Sequence, residues 1–245
     1  SAADFCIDAL KLCDEIMGRG NIPLLVGGTM MYFRALQKGL SSLPEANEAL
    51  RARLTSQLET EGLKALYDTL KAVDSATAQK LHPHDRQRIL RALEVYYVTG
   101  QPMSALQSIK ASQATPNYNW INLALFPDDR AWLHARIARR FDMMLDVGFI
   151  DEVKGLLTLW GEDMIDLPAM RSVGYRQAID YIQGVCDFET FRIRGNVATR
   201  QLAKRQITWL RSWPDVHYFN PKSKTCFDEM LELVKTMLDN EHNPK

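Results

Sequence analysis

No stretch of this sequence stays apolar for the ~18 residues that a membrane-spanning helix needs, and no signal-peptide pattern opens it. Cysteine is scarce. Cys6, Cys13, Cys186 and Cys226 are the only four, and none stands at metal-ligand spacing from another. They read as reduced thiols, and a chain with neither span nor signal is expected to be cytoplasmic, with no membrane partner. Histidine is sparse too. In His82-Pro83-His84 the proline prevents the i, i+4 helical spacing of a two-histidine site, so no protein-held metal is expected. An excess of charge of one sign is missing: Lys+Arg and Asp+Glu are both 30. That excludes a globally basic nucleic-acid binder and leaves a locally basic face open. Repeats and low-complexity segments are absent as well. With 245 residues and 46% hydrophobic content the chain can bury a core without staples, as one large domain or one domain plus an insertion.

What is present follows a helix-rich α/β grammar. Phe5, Cys6, Ala9, Leu10, Cys13, Ile16 and Met17 form one helical stripe, ended by Gly18 and Gly20. Ile22 to Gly27 is a short apolar run, expected to be a buried strand, and Gly27-Gly28 leads into a helix from Thr29 to about Gly39. From Pro44 to Pro116 the pattern is helical only, with Leu50, Leu54 and Leu58 before Gly62 and Leu63, Leu66 and Leu70 after it. A second strand is expected over Asn119–Phe126, parallel to the first in one sheet. Pro127-Asp128-Asp129 then caps a helix that Gly148 ends. Further helices are predicted over Asp151–Trp160, Tyr175–Ile182, Phe188–Arg211 and Cys226–Leu238. This organisation predicts a core domain over 1–43 and 117–214, a helical insertion over 44–116 and a helical tail over 215–245.

Four places can carry chemistry. A strand ending in Gly27-Gly28 and opening a helix lets a ligand approach bare backbone and free N–H groups, with Thr29 as a contact. Alternatively, Thr29 only caps its helix and the glycines only turn the chain. Arg88 and Arg91 share a helix face and can hold phosphates, or they form a solvated face neutralised by Asp85 and Glu94. Arg136 and Arg140, four apart, can clamp an anion or pair with Asp142 and Glu152. The strongest signal lies between Thr190 and Pro214: Arg192, Arg194, Arg200, Lys204, Arg205 and Arg211, with no acidic residue. A one-signed segment in a neutral chain generates a local field suited to a polyanion, unless acidic groups elsewhere in the fold complete it.

Four segments resemble the tRNA dimethylallyltransferase (tRNA isopentenyltransferase) family: Pro23–Phe33 (PLLVGGTMMYF), Asp85–Glu94 (DRQRILRALE), Arg171–Arg176 (RSVGYR) and Thr199–Arg211 (TRQLAKRQITWLR). The resemblance implies a P-loop-NTPase-like parallel-sheet core with a helical insertion. It also implies transfer of a dimethylallyl group from dimethylallyl diphosphate to N6 of the adenine 3′ of the anticodon, with Mg²⁺ held mainly by the diphosphate and the P-loop. Family members carry G-x-x-x-x-G-K-[ST] and an Asp-Ser motif whose aspartate is taken as the general base. The sequence contains no P-loop pattern. The resemblance therefore implies an incomplete core, inactive by itself, acting as a monomer on one tRNA. Alternatives are a catalytically silent RNA-binding fragment and a P-loop kinase relative.

Residue by residue, the resemblance places Thr29 beside the target adenine. Arg140, with Arg136 less favoured, would face the diphosphate leaving group, whose approach Gly27 and Gly28 would permit. The implied tRNA contacts on the insertion are Arg51, Gln87, Arg88, Ile89, Leu90 and Arg91. Beyond it they are Arg171, Ser172, Val173, Gly174, Tyr175 and Arg176, then Lys204, Arg205, Gln206 and Ile207, and finally Thr208, Trp209, Leu210 and Arg211.

Overall fold

The computed structural model describes residues 2–39, 43–108 and 118–242. The chain divides into two compact units, Ser1–Tyr118 and Asn119–Lys245. The first holds α1 (Ala2–Gly18), α2 (Met30–Lys38), α3 (Glu48–Val73), α4 (Ser75–Lys80), α5 (Arg86–Thr99) and α6 (Met103–Ser108). The second holds β1 (Asn122–Leu125), α7 (Arg130–Asp146), α8 (Phe149–Trp160), α9 (Tyr175–Ile182), α10 (Phe188–Arg211), β2 (Val216–Phe219) and α11 (Cys226–His242). The fold is helix-dominated α/β with a small parallel sheet.

In unit 1, α1 packs on α2 through Ala9, Cys13, Ala35 and Leu36, with Phe5 stacked on Tyr32 at 4.7 Å. Helices α3 to α6 close over Leu54, Leu66, Leu70, Ile89, Leu93 and Val95. Gly62 takes φ 80° and breaks α3 into two segments, as its flanking leucines predict. A residue with a Cβ resists that backbone. Asp74 is buried between helices. Its carboxylate accepts from Thr77 N–H and Oγ1 and from Ser104 N–H and Oγ at 2.7 to 3.0 Å. Burial alone would raise its pKa; these four donors overrule burial and hold it below the usual carboxylate range. Helices α3 to α6 fall within the expected insertion, whose last residues, 109–116, lie outside the described residues.

The strand expected over Ile22–Gly27 does not form. The segment is extended, with Ile22, Leu24 and Val26 exposed at 62, 80 and 85%. A strand is held by a ladder to a neighbour, and among the described residues none runs alongside it. The partner of β1 is instead β2, parallel, with Asn122 opposite Val216 and Leu125 opposite Phe219. The predicted tail at 215–245 therefore opens on a strand rather than a helix.

Unit 2 closes over Phe141, Phe149, Val153, Met164, Met170, Ala178, Ile179 and Phe191. Helix α7 meets α10 where Phe141 lies against Gly195; a Cβ on Gly195 would fall 2.2 Å from Phe141 Cζ. Asp129 fixes the start of α7, accepting from Trp132 N–H at 2.9 Å and pairing with Lys222 at 3.0 Å. Among the described residues no helix is long and apolar enough to cross a membrane.

Candidate anion and RNA surfaces

Thr29 occupies the N-cap position of α2, yet its side chain makes no capping hydrogen bond and the residue is exposed. The capping alternative therefore has no bond to rest on. Gly27 and Gly28 are exposed, and neither has positive φ. Their backbone is open to other residue types, so what glycine adds there is bare approach to the main chain.

On α5, Asp85 caps the helix through Arg88 N–H and lies 3.5 Å from Arg88 Nε. Gln87 and Arg88 face solvent, Leu90 and Arg91 are half-buried, and Ile89 is fully buried in the core. The side chain of Ile89 is thus a core residue and not an RNA contact. Arg51 and Arg91 converge on Glu94 at 2.9 and 2.7 Å. Sequence reasoning read Glu94 only as surface neutralisation, whereas its side chain is buried and joins the two arginines. Its place in an otherwise apolar helix stripe was the available signal.

In unit 2, Asp142 is held by Arg192 through two bonds of 2.7 and 2.9 Å, and Glu152 accepts from the Tyr175 hydroxyl. Neither acid pairs with Arg136 or Arg140. Arg136 lies over the Trp132 ring at 4.9 Å. Arg140 is exposed and takes part in none of the ion pairs found among the described residues. Gly174, at φ 100°, opens α9, and its N–H donates to Gln177 Oε1 at 2.8 Å. That turn leaves Arg171, Ser172 and Arg176 exposed, with Val173 and Tyr175 half-buried. Arg171 pairs at the surface with Asp166, 3.5 Å away.

Helix α10 divides along its length. Arg192, near its start, is neutralised by Asp142 and Glu189. Arg200, Lys204, Arg205 and Arg211 are exposed, and no ion pair among the described residues takes them up. Thr208 is also exposed, while Gln206, Ile207, Trp209 and Leu210 are half-buried. His134 on α7 registers this charge: burial, Arg200 and Arg130 together push it below the usual imidazole range. Replacing Arg200, Lys204 and Arg211 by glutamine is expected to flatten the salt dependence of RNA binding. The log–log slope should fall by about 0.7 to 0.9 for each lost phosphate contact. Filter binding between low and high salt checks this; an unchanged slope assigns these residues to the fold.

Among the described residues no three His, Cys, Asp or Glu side chains converge to hold a metal ion. The described side chains therefore offer no ready-made cage for Mg²⁺.

In unit 2, exposed cations on α7 and α10 that no ion pair among the described residues takes up form a surface able to meet a polyanion. The family model described as IPP transferase matches residues 1–213, and the chain belongs to that family. A tRNA dimethylallyltransferase of Legionella pneumophila strain Corby is 53% identical over 240 residues, covering 98% of this chain and 76% of that protein. The crystal structure of the tRNA isopentenylpyrophosphate transferase of Bacillus halodurans matches with TM-score 0.62 and 31% identity, covering 98% of this chain and 73% of that one. A eukaryotic dimethylallyltransferase acting on tRNA shares the fold, with TM-score 0.75 and 23% identity over 98% of this chain and 62% of that one.

Proposed function

We propose that this chain works in tRNA modification, as a dimethylallyltransferase that prenylates N6 of the adenine 3′ of the anticodon with dimethylallyl diphosphate as donor. The observation that carries this reading is the 53% identity, across nearly the whole chain, to a protein named for that activity. The exposed residues give it physical content. The N6 lone pair attacks C1 of the dimethylallyl group, the C1–O bond to diphosphate breaks, and N6 passes a proton to water or to the departing diphosphate. Negative charge grows on the departing diphosphate, and a preplaced cation lowers that barrier. Arg140 is suited to the task because it is exposed and no acid among the described residues engages it. Thr29 Oγ1, unused in capping, orients the N6 amino group. Gln87, Arg88 and Arg91, with Arg51, meet the tRNA from unit 1. Arg171 to Arg176 and Lys204 to Arg211 meet it from unit 2. An anticodon-loop adenine can be splayed out at low cost, which lets a recessed group reach N6. The enzyme acts as a cytoplasmic monomer on one tRNA at a time.

The test is direct. The enzyme bearing this chain is incubated with labelled dimethylallyl diphosphate and a tRNA carrying adenine 3′ of the anticodon. Nucleoside digestion should yield N6-dimethylallyladenosine, and the same tRNA with guanine at that position should yield none. Label transferred equally to both would sink the assignment to N6.

A further inference from the structure

Glu94 gathers groups from two helices. Its side chain is only 2% exposed. Oε1 accepts from Arg51 Nε and from the backbone N–H of Asn47, both at 2.9 Å. Oε2 accepts from Arg91 Nη1 at 2.7 Å and Arg51 Nη2 at 3.3 Å. Arg51 is therefore gripped as a fork, and Arg91 Nη2 reaches on to the Pro44 carbonyl at 2.7 Å. Burial would raise the pKa of Glu94; the bonds from Arg91, Asn47 and Arg51 outweigh it and keep the carboxylate ionised. The outer parts of the two arginines stay accessible, with side chains 54 and 30% exposed.

One anion shared by two cations leaves the cluster with a surplus positive charge. It also offsets the mutual repulsion of the guanidiniums and holds each in one orientation. An arginine ordered before binding loses less side-chain entropy when it meets a phosphate. We propose that Glu94 is a positioning residue for RNA recognition, fixing Arg51 and Arg91 as a preformed pair of donors for the substrate's phosphate backbone. This rests on the reading of Arg51 and Arg91 as RNA contacts.

Competing roles for Glu94 predict different outcomes. A carboxylate that merely opposes an RNA would, when neutralised, let RNA bind more tightly and with steeper salt dependence. One that merely pins α3 to α5 would change thermal stability and leave the Michaelis constant alone. Positioning predicts that Glu94→Gln raises KM for tRNA by about 5- to 20-fold, within the range of ordinary side-chain couplings. It further predicts a smaller effect on kcat and little on KM for dimethylallyl diphosphate. Arg51→Ala should raise KM similarly, and the double variant should fall short of the product of the two single effects, because only the Arg91 share of the positioning is left for Glu94→Gln to remove. Glu94→Asp, which keeps the charge, should recover part of the loss; it also carries the test if Glu94→Gln does not fold. Assays run well below the lowest melting temperature, with Asp68→Asn as a surface control, since Asp68 is an exposed carboxylate of α3 paired with Lys64 and Lys71.

A lowered KM in Glu94→Gln, single effects that multiply in the double variant, or a lowered melting temperature with unchanged KM each overturn the positioning role. If Arg51→Ala leaves KM for tRNA unchanged, the RNA-contact reading falls and the proposal with it. If Arg51→Ala raises KM and neither Glu94 variant does, positioning alone falls.

Discussion

Replacing Arg140 by alanine is expected to slow dimethylallyl transfer by about 10²- to 10³-fold, the usual cost of removing one preplaced donor from a developing anion. The loss should fall on kcat, with KM for tRNA little changed, because the charge it meets grows only as the C1–O bond breaks. Inhibition by inorganic diphosphate should weaken in the same variant. Arg136→Ala is the comparison that decides between the two arginines of this helix. Its guanidinium already lies over Trp132, a contact that disperses its charge over a ring face, so its loss should cost less. Single-turnover kinetics on both variants give the answer. A larger defect in Arg136→Ala, or undiminished diphosphate inhibition in Arg140→Ala, would move the leaving-group contact off Arg140.

Why, among the described residues, an acid engages Arg192 and none engages Arg140 was closed to sequence reasoning. Asp142 is two residues from Arg140 and fifty from Arg192, yet it pairs with the latter. On a helix, residues two apart point to different sides, and tertiary packing chose the partner. The same holds for Glu94, three residues from Arg91 and forty-three from Arg51. What local chemistry controls was legible. Helices α9 and α10 begin and end where periodicity and capping residues place them, with Asp187 accepting from Thr190 N–H at the start of α10. The Gly62 break in α3 likewise follows from two leucine stripes that do not join. Strands were less legible, because a strand is a property of a pair. Ile22–Val26 has the composition of a buried strand and no ladder to join among the described residues. Val216–Phe219 is four residues long behind a proline, too brief for alternation to register, yet pairs along its whole length with β1. Its Tyr218 hydroxyl donates to the Leu210 carbonyl at 2.6 Å, tying the sheet to the end of the cationic helix.

Gly195→Ala is expected to destabilise unit 2, because Gly195 is the glycine there whose added Cβ would clash with a neighbouring ring. The added Cβ would lie 2.2 Å from Phe141 Cζ and 2.5 Å from Cε2, well inside contact distance. Phe141 has little room to retreat, since it is buried and its ring packs on Phe191 at 5.6 Å. Overpacking of this kind costs about 1 to 3 kcal/mol. Alanine's better helix propensity recovers up to about 1 kcal/mol of that, so the net change should appear as a melting temperature lower by several degrees. The sign is the informative part. At an exposed helix site the same substitution stabilises, so a rise in melting temperature would mean that α7 and α10 do not approach as closely as the structure has them. Phe141→Leu removes the clashing ring atoms at the cost of a small cavity. Combined with Gly195→Ala it should be less harmful than the two single losses added together, a coupling that a thermodynamic cycle measures directly. The contact also bears on function, because Arg140 precedes Phe141 on α7 while Gly195 lies one and a half turns before Arg200 on α10. Spreading the helices displaces one set of cations from the other, so Gly195→Ala should slow transfer even where the protein remains folded, and the Phe141→Leu partner should restore part of that rate along with the stability.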